Sequence, residues 1–141
     1  MRETLPFRIL EHTADIGFEA FGATVEEVFS NSARALVSLI VDPLSIVPCD
    51  ATTIHVESSG AENLLVNWLS EILYFFDAEG RVFRDFDVQL IDGKSLTAVA
   101  RGERFDRARH QVNVQVKAIT YHQLVLEQTQ EGWHSRVYVD I

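Results

Sequence analysis

Two stretches of helical periodicity, set among runs in which apolar residues alternate, restrict the folds open to this chain. Apolar residues recur at helical spacing over 25–40, and Thr24 with Glu27 forms a capping-box start. A second helical stretch begins at Ser59 and ends before Gly80, where a helix C-cap belongs. Its apolar stripe comprises Leu64, Leu65, Trp68, Leu69, Ile72, Leu73, Phe75 and Phe76. The sequence therefore predicts two helices that each bury one face.

The remaining apolar segments alternate with a period of two, which is typical of half-buried strands. Asp92 and Gly93 form a strong hairpin signal between strands predicted over 86–91 and 95–101. The alternating valines of 112–116 predict a further strand. The other predicted strands are 7–10, 16–21, 52–57, 124–126 and 133–141. We therefore expect an α+β fold, with two helices packed on a mainly antiparallel, mixed sheet.

Length and composition favour one globular domain. The chain has 141 residues, of which 47% are hydrophobic, and we assign 1–141 to a single domain with 1–6 as a loosely ordered N-terminal extension. No apolar run approaches the roughly 20 residues that span a membrane, and the N-terminus lacks a secretory signal pattern. The single cysteine, Cys49, has no internal partner for a disulfide. A cytoplasmic protein without membrane contact is expected.

The charge balance disfavours tight binding to nucleic acid. The formal net charge is −9, from 21 acids against 12 bases, and the lysines are Lys94 and Lys117. The densest basic stretch, 101–109, is interrupted by Glu103 and Asp106. Proteins that grip phosphate backbones usually carry a clustered basic face. A protein partner or a cation suits this acidic chain better.

Common catalytic signatures are missing from the sequence. It contains no Gly-x-x-x-x-Gly-Lys-Ser/Thr phosphate loop, no Gly-x-Ser-x-Gly elbow and no His-Glu-x-x-His pair. Cys49 lies beside Asp50 and not beside a basic residue that could activate its thiol. We therefore assign no catalytic residue and expect a protein that is not an enzyme.

Carboxylates near strand ends are the first candidates for a functional site. Asp15 lies in the polar loop 11–15 between two predicted strands, where its ordinary role is to accept backbone hydrogen bonds in a turn. Asp140 is next to the terminal carboxylate of Ile141, a pair that is otherwise a solvated chain end. Three such carboxylates brought together would repel one another unless a cation shared them. Their oxygens suit Ca²⁺, Mg²⁺ or Mn²⁺.

A second candidate cluster lies in the stretch 117–122. If the valines of 112–116 face inward, Lys117 points to the opposite side of its strand. A solvated lysine and a surface histidine, His122, are the ordinary alternative. His12 and His122 also pair as possible zinc ligands, but no cysteine or well-placed third histidine completes a set.

Four motifs, in order along the chain, resemble the archease family. Residues 10–17 (LEHTADIG) resemble its His-Thr-Ala-Asp opening, and 68–74 (WLSEILY) its second helix. Residues 117–122 (KAITYH) match its Lys-Ala-x-Thr-Tyr-His motif, and the chain closes on the family's Asp-Ile end. The resemblance runs from about Phe7 to Ile141, whereas 101–110 are only loosely similar.

The resemblance implies a strand–helix–strand–strand (SHS2-like) fold and an accessory function. Archeases promote guanylylation of the RtcB-type tRNA-splicing ligase and sustain its turnover in RNA ligation. The resemblance implies a bound divalent cation, Ca²⁺ before Mn²⁺ or Mg²⁺, with Asp15, Asp140 and the terminal carboxylate of Ile141 as ligands. Lys117, His12 and His122 are then the candidate partner and activation residues.

Two other functions stay open at the level of sequence. The family has also been regarded as a chaperone or modulator of nucleic-acid-modifying enzymes such as tRNA methyltransferases, which requires no metal step. A metal-dependent enzyme would need a general base, for which the candidates are Glu11, His12 and His122. Nothing in the sequence marks those three residues as coupled.

Overall fold

The fold contains two helices and eight strands within the part of the chain that the structure describes, which is a computed structural model covering residues 5–11, 15–90 and 92–141. The helices are α1 (Val25–Ile40) and α2 (Ala61–Glu79), and a 3₁₀ turn spans Pro43–Ser45. The strands are β1 (Phe7–Glu11), β2 (Ile16–Gly22), β3 (Asp50–Glu57), β4 (Arg81–Leu90), β5 (Ser95–Arg104), β6 (Ala118–Ile119), β7 (Val125–Thr129) and β8 (Gly132–Asp140).

The strands form two antiparallel sheets. The five-stranded sheet has the order β1-β2-β8-β6, and β7 also pairs with β8. The three-stranded sheet has the order β3-β5-β4, in which β4 and β5 form the hairpin predicted around Asp92 and Gly93. Gly93 adopts φ +79°, and Asp92 Oδ1 accepts hydrogen bonds from the backbone N–H groups of Lys94 and Ser95. The predicted α+β class is confirmed, with the strands divided between two sheets.

Helix α1 begins where the sequence predicts and connects the two sheets. Thr24 Oγ1 accepts from the backbone N–H of Glu27, and Glu27 Oε1 accepts from that of Ala23, which satisfies two N–H groups at the helix start. The buried face of the helix contacts β2 and β8 of one sheet and β4 of the other. Helix α2 packs beside it, and the buried Trp68 Nε1 donates to the carbonyl of Phe29 at 3.0 Å.

The predicted start of α2 at Ser59 is wrong. The N-cap is Gly60, which provides no side-chain hydrogen bond. The Ser58 hydroxyl oxygen instead accepts a hydrogen bond from the Gly60 N–H, with a donor–acceptor distance of 3.3 Å. The Ser59 hydroxyl oxygen accepts one from the side-chain amide of Asn63. The predicted end is confirmed, because Gly80 is the C-cap with φ +64°, a conformation that favours glycine.

The strand predicted from the valines of 112–116 is absent, since this segment has no regular secondary structure. The N–H groups of Asn113 and Val114 donate to the carbonyls of Ile40 and Leu39, at 2.7 and 3.1 Å. The last carbonyls of a helix lack partners within the helix, so the segment satisfies the end of α1 rather than extending a sheet. Val116 is buried, which accounts for its apolar character.

One hydrophobic core joins the helices to the inner faces of both sheets. Its largest fully buried side chains include Trp68, Phe18, Phe29 and Phe83. Helix α2 contacts strands of both sheets, as α1 does. The predicted extension 1–6 lies mostly outside the described residues, although the Pro6 carbonyl accepts from the N–H of Phe21 at 3.0 Å.

Candidate metal and partner site

The pairing of β2 with β8 brings two predicted ligands to one end of the five-stranded sheet. Ile16 pairs with Val139 at the end of the antiparallel ladder. Asp15 precedes Ile16 and Asp140 follows Val139, so the two aspartates occupy the next opposed positions. Opposed residues in an antiparallel pair have Cα atoms about 4.5–5.5 Å apart. Two carboxylates that are distant in sequence thus become neighbours.

Strand β6 brings Lys117 to the same end. Ala118 pairs with Asp140 and Ile119 with Val139, on the edge of β8 that faces away from β2. The backbone N–H of Lys117 donates to the carbonyl of Asp140 at 2.8 Å. Asp140 therefore lies between the position of Asp15 on one side and the β6 start on the other.

Alternation along β8 assigns Asp140 to the outer face of the sheet. Val137 and Val139 are fully buried and face the core, so Tyr138 and Asp140 point the other way. Opposed residues share a face, and Asp15 therefore lies on the outer face as well. Asp15 is half-buried, with its Oδ1 enclosed, whereas Asp140, Lys117 and Ile141 are exposed. The cluster is open to a partner while one of its carboxylates is held by the fold.

Tyr138 anchors the turn that carries His122. Both the backbone N–H and the hydroxyl of Thr120 donate to the Tyr138 carbonyl, at 3.0 and 2.8 Å. The His122 ring lies edge-on to the Tyr138 ring, with centroids 5.7 Å apart. His122 itself is exposed. The His122 ring thus lies beside the outer face of β8. Asp140 is on the same face, two residues after Tyr138.

Gly17 leaves room for the Tyr138 ring. The two residues are paired across β2 and β8. A Cβ atom at Gly17 would lie 2.7 Å from Tyr138 Cδ1 and 3.0 Å from the Val137 carbonyl oxygen. The ring therefore covers the glycine backbone, and the absence of a side chain at position 17 permits this packing.

The donor chemistry at this end fits a hard cation. Asp15, Asp140 and the Ile141 terminus offer oxygen atoms alone, which Ca²⁺, Mg²⁺ and Mn²⁺ prefer. No group of three or more His, Cys, Asp or Glu side chains in the described ranges is placed to hold a metal ion. A site here therefore depends on the terminal carboxylate as its third protein donor. The other predicted activation residue, His12, lies outside the described residues.

The segment 103–110 forms a buried polar cluster to which the sequence assigns no role. Glu103 is 7% exposed and accepts from the Val47 N–H at 2.7 Å, from Arg109 at 2.5 and 3.2 Å, and from His110 Nε2 at 2.9 Å. His110 Nδ1 accepts from the Asp106 N–H, so Nε2 carries the proton that Glu103 receives.

These contacts explain the electrostatics of the cluster. The hydrogen bonds from Arg109, then that from Val47, lower the pKa of Glu103 to about 2. Arg109 has its own pKa raised by Glu103. The arginine is thus paired within the fold, and the cluster fastens 103–110 to the segment after the 3₁₀ turn. In the sequence, Glu103 and Asp106 are two acids among the four arginines of 101–109, a pattern that periodicity cannot interpret.

Comparison with known proteins agrees with this architecture. The sequence profile of the Archease protein family (MTH1598/TM1083) matches residues 7–141. Protein archease of Methanosarcina barkeri is 44% identical over 139 residues, covering 96% of this chain and 95% of the relative. That of Pyrococcus furiosus is 43% identical over 135 residues, covering 93% and 95%. The solution structure of protein 1598 of Methanobacterium thermoautotrophicum has a TM-score of 0.84 at 30% identity, covering 96% of this chain and 99% of that one.

The fold and these matches define the class of protein: an α+β domain of two helices on antiparallel sheets, like that of the solved neighbour. The chain belongs to the archease family. Within the described ranges, neither helix has the length and apolar character required to cross a membrane.

Proposed function

We propose that this protein is a non-enzymatic activator of an RtcB-type tRNA-splicing ligase, promoting guanylylation and multiple turnover of that enzyme in the cytoplasm. Membership of the archease family supports an accessory role. The observation that carries the proposal is the convergence of Asp15, Asp140 and Lys117 at one end of the five-stranded sheet. These residues come from three separate strand ends and from motifs that the family resemblance singled out.

In this proposal Asp15, Asp140 and the Ile141 terminus hold a divalent cation, Ca²⁺ before Mn²⁺ or Mg²⁺. A bound cation would neutralise the carboxylates and offer remaining coordination positions to oxygens of a partner or of its nucleotide. Partial burial restricts the position of the Asp15 carboxylate. The backbone of Asp140 is positioned by the hydrogen bond that its carbonyl accepts from the Lys117 N–H. The exposure of Asp140 and Ile141 supports a site that faces a partner.

Lys117 supplies a compact positive charge beside this acidic cluster. An exposed ammonium group suits contact with a phosphate of the ligase-bound nucleotide or with an acid on the ligase. His122, held against Tyr138, lies on the same side and is a second contact candidate. We retain His12 as a third candidate from its motif alone.

The acidic composition of the chain supports recognition of a protein rather than bare RNA. The net charge is −9, and Arg109 is paired with Glu103. Weak, steeply salt-dependent affinity for tRNA is therefore expected.

The direct test mixes the protein with its cognate RNA ligase and measures RNA ligation over many turnovers. We expect product to exceed one equivalent per ligase only when the protein is present. The protein alone is expected neither to hydrolyse GTP nor to join RNA. Equal ligation with and without it would contradict the proposal, and stimulation of a tRNA methyltransferase instead would support the chaperone alternative.

A further inference from the structure

A cavity of about 660 Å³ opens at the other end of the five-stranded sheet, where β2 ends and β8 begins. This volume is within the roughly 300–1,000 Å³ range of ligand pockets. Its walls include Phe21, Trp133 and His134, together with residues that precede α1. The lining reaches Glu19 at the middle of the β2–β8 ladder and includes neither Asp15 nor Asp140. The cavity is therefore distinct from the site assigned above.

A row of alternating basic and acidic side chains crosses the sheet beside this cavity. Arg8 Nη2 lies 2.9 Å from Glu19 Oε2, and Glu19 Oε1 lies 3.0 Å from His134 Nε2. His134 Nδ1 lies 3.0 Å from Glu127 Oε2. The row spans β1, β2, β8 and β7, so four strands hold its carboxylates in defined positions.

The lining carries an excess of negative charge. Among the described residues, its acids are Glu19, Glu27, Glu127 and Glu131, and its bases are Arg8 and His134. Leaving aside Glu131, which has an interaction of its own, the described acids exceed the described bases by one even with His134 counted as charged. Glu127 is about half exposed, and among the described residues it accepts a hydrogen bond from His134. A carboxylate has about four lone-pair sites, so Glu127 retains capacity for a further donor.

Aromatic rings adjoin these carboxylates. The Phe21 ring stacks on His134, with centroids 5.3 Å apart and an angle of 16° between the planes. Phe21 and Trp133 are both partly exposed at the cavity. A guanidinium group combines planar stacking on an aromatic face with bidentate donation to carboxylate. Anionic ligands, including nucleic acid backbones, would be repelled.

We propose that this cavity binds an arginine side chain of a protein partner. The carboxylates favour a cation over an anion, and the aromatic walls favour a planar cation that can stack over a compact ammonium. This inference is independent of ligase activation, since it uses none of the residues at the Asp140 end.

The test is an NMR titration of the full chain with a short, blocked peptide that contains one arginine. The matched probes replace arginine by citrulline, which keeps the shape and removes the charge, or by lysine. We expect saturable shifts confined to residues around the cavity, with a Kd on the order of 1 mM. Citrulline should bind at least about fivefold more weakly, lysine should be intermediate, and arginine binding should weaken as salt is added.

Two variants separate the cavity from general surface charge. Glu127→Gln should weaken arginine binding at least about threefold, and Phe21→Leu should remove the preference for arginine over lysine. Asp87→Asn, on an exposed position of β4, loses the same charge and should leave binding unchanged. Equal binding of the arginine and citrulline peptides, no saturable shift at the cavity up to about ten times the expected Kd, or an equal effect of Asp87→Asn would each overturn the proposal.

Discussion

The backbone N–H of Lys117 donates to the carbonyl of Asp140 at 2.8 Å, while the lysine side chain is exposed. The main chain thus fixes the position of this lysine, and its ammonium group is available to a partner. Structure and function at this residue can therefore be separated by mutation, because alanine keeps the backbone bond.

We predict that Lys117→Ala lowers the single-turnover rate of ligase guanylylation at least about tenfold, which corresponds to roughly 1.4 kcal/mol in the barrier. The Tm should change little. The matched control is Lys94→Ala, which removes the chain's other lysine from the β4–β5 hairpin and should leave the rate unchanged. Equal rates for both variants and wild type would show that Lys117 has no part in activation.

The packing of Tyr138 over Gly17 gives a prediction about stability. Gly17→Ala places a Cβ within 2.7 Å of the Tyr138 ring, so it should lower the free energy of unfolding by about 1–3 kcal/mol. Urea denaturation measures this. The same substitution in a Tyr138→Ala background should cost much less, because the clashing ring is gone. Identical costs in both backgrounds would refute the assigned contact.

Glu103 predicts a specific dependence of stability on pH. Its pKa is lowered from 4.5 to about 2 by folding, so the ionised carboxylate stabilises the folded state above about pH 4.5. This stabilisation is lost as the pH falls from about 4.5 to about 2. Glu103→Gln should therefore reduce the free energy of unfolding by about 1–3 kcal/mol at pH 7. The gap between wild type and variant should narrow below pH 4.5.

The control for Glu103 is Glu62→Gln in the exposed first turn of α2. Its difference from wild type should be small across the same range. If Glu103→Gln lowers the free energy of unfolding by the same amount at pH 3 as at pH 7, the ionised carboxylate does not stabilise the 103–110 segment.

The metal assignment predicts that Asp140→Asn and a short extension after Ile141 each weaken Ca²⁺ binding at least about tenfold by calorimetry. The extension moves the terminal carboxylate away, and the substitution removes a charged oxygen donor. Neither should unfold the apo protein, since removing one of several mutually repelling carboxylates relieves repulsion. Unchanged affinity in the extended protein would remove Ile141 from the ligand set.

Local chemistry in the sequence predicts most of the helices and the β4–β5 hairpin. Each of these elements is set by residues close together in sequence: the cap at Thr24, the glycine at position 80 and the Asp92-Gly93 turn. They can therefore be predicted without knowledge of the tertiary fold. The valines of 112–116 mislead because their alternation does not correspond to a strand with one buried face: Val116 is buried, whereas Val112 is 40% exposed. Their backbone partners are the last carbonyls of α1.

The candidate site is less accessible to sequence reasoning. Asp15 and Asp140 become neighbours through the β2–β8 pairing, a contact between the two ends of the chain that periodicity does not encode. Family resemblance singles out both residues, but their proximity follows from the strand pairing alone. The Arg8–Glu19–His134–Glu127 row was missed altogether, because it depends on the register of four strands.

In the proposed function, the carboxylates at the Asp140 end enable the protein to sustain ligase turnover. Multiple-turnover RNA ligation by the cognate ligase, with wild-type protein or the Asp15→Asn, Asp140→Asn double variant, tests it most directly. Circular dichroism should confirm that the variant is folded. We predict that wild type supports many rounds of ligation, whereas the folded variant leaves the ligase near one round. Sustained turnover with the variant would contradict the account.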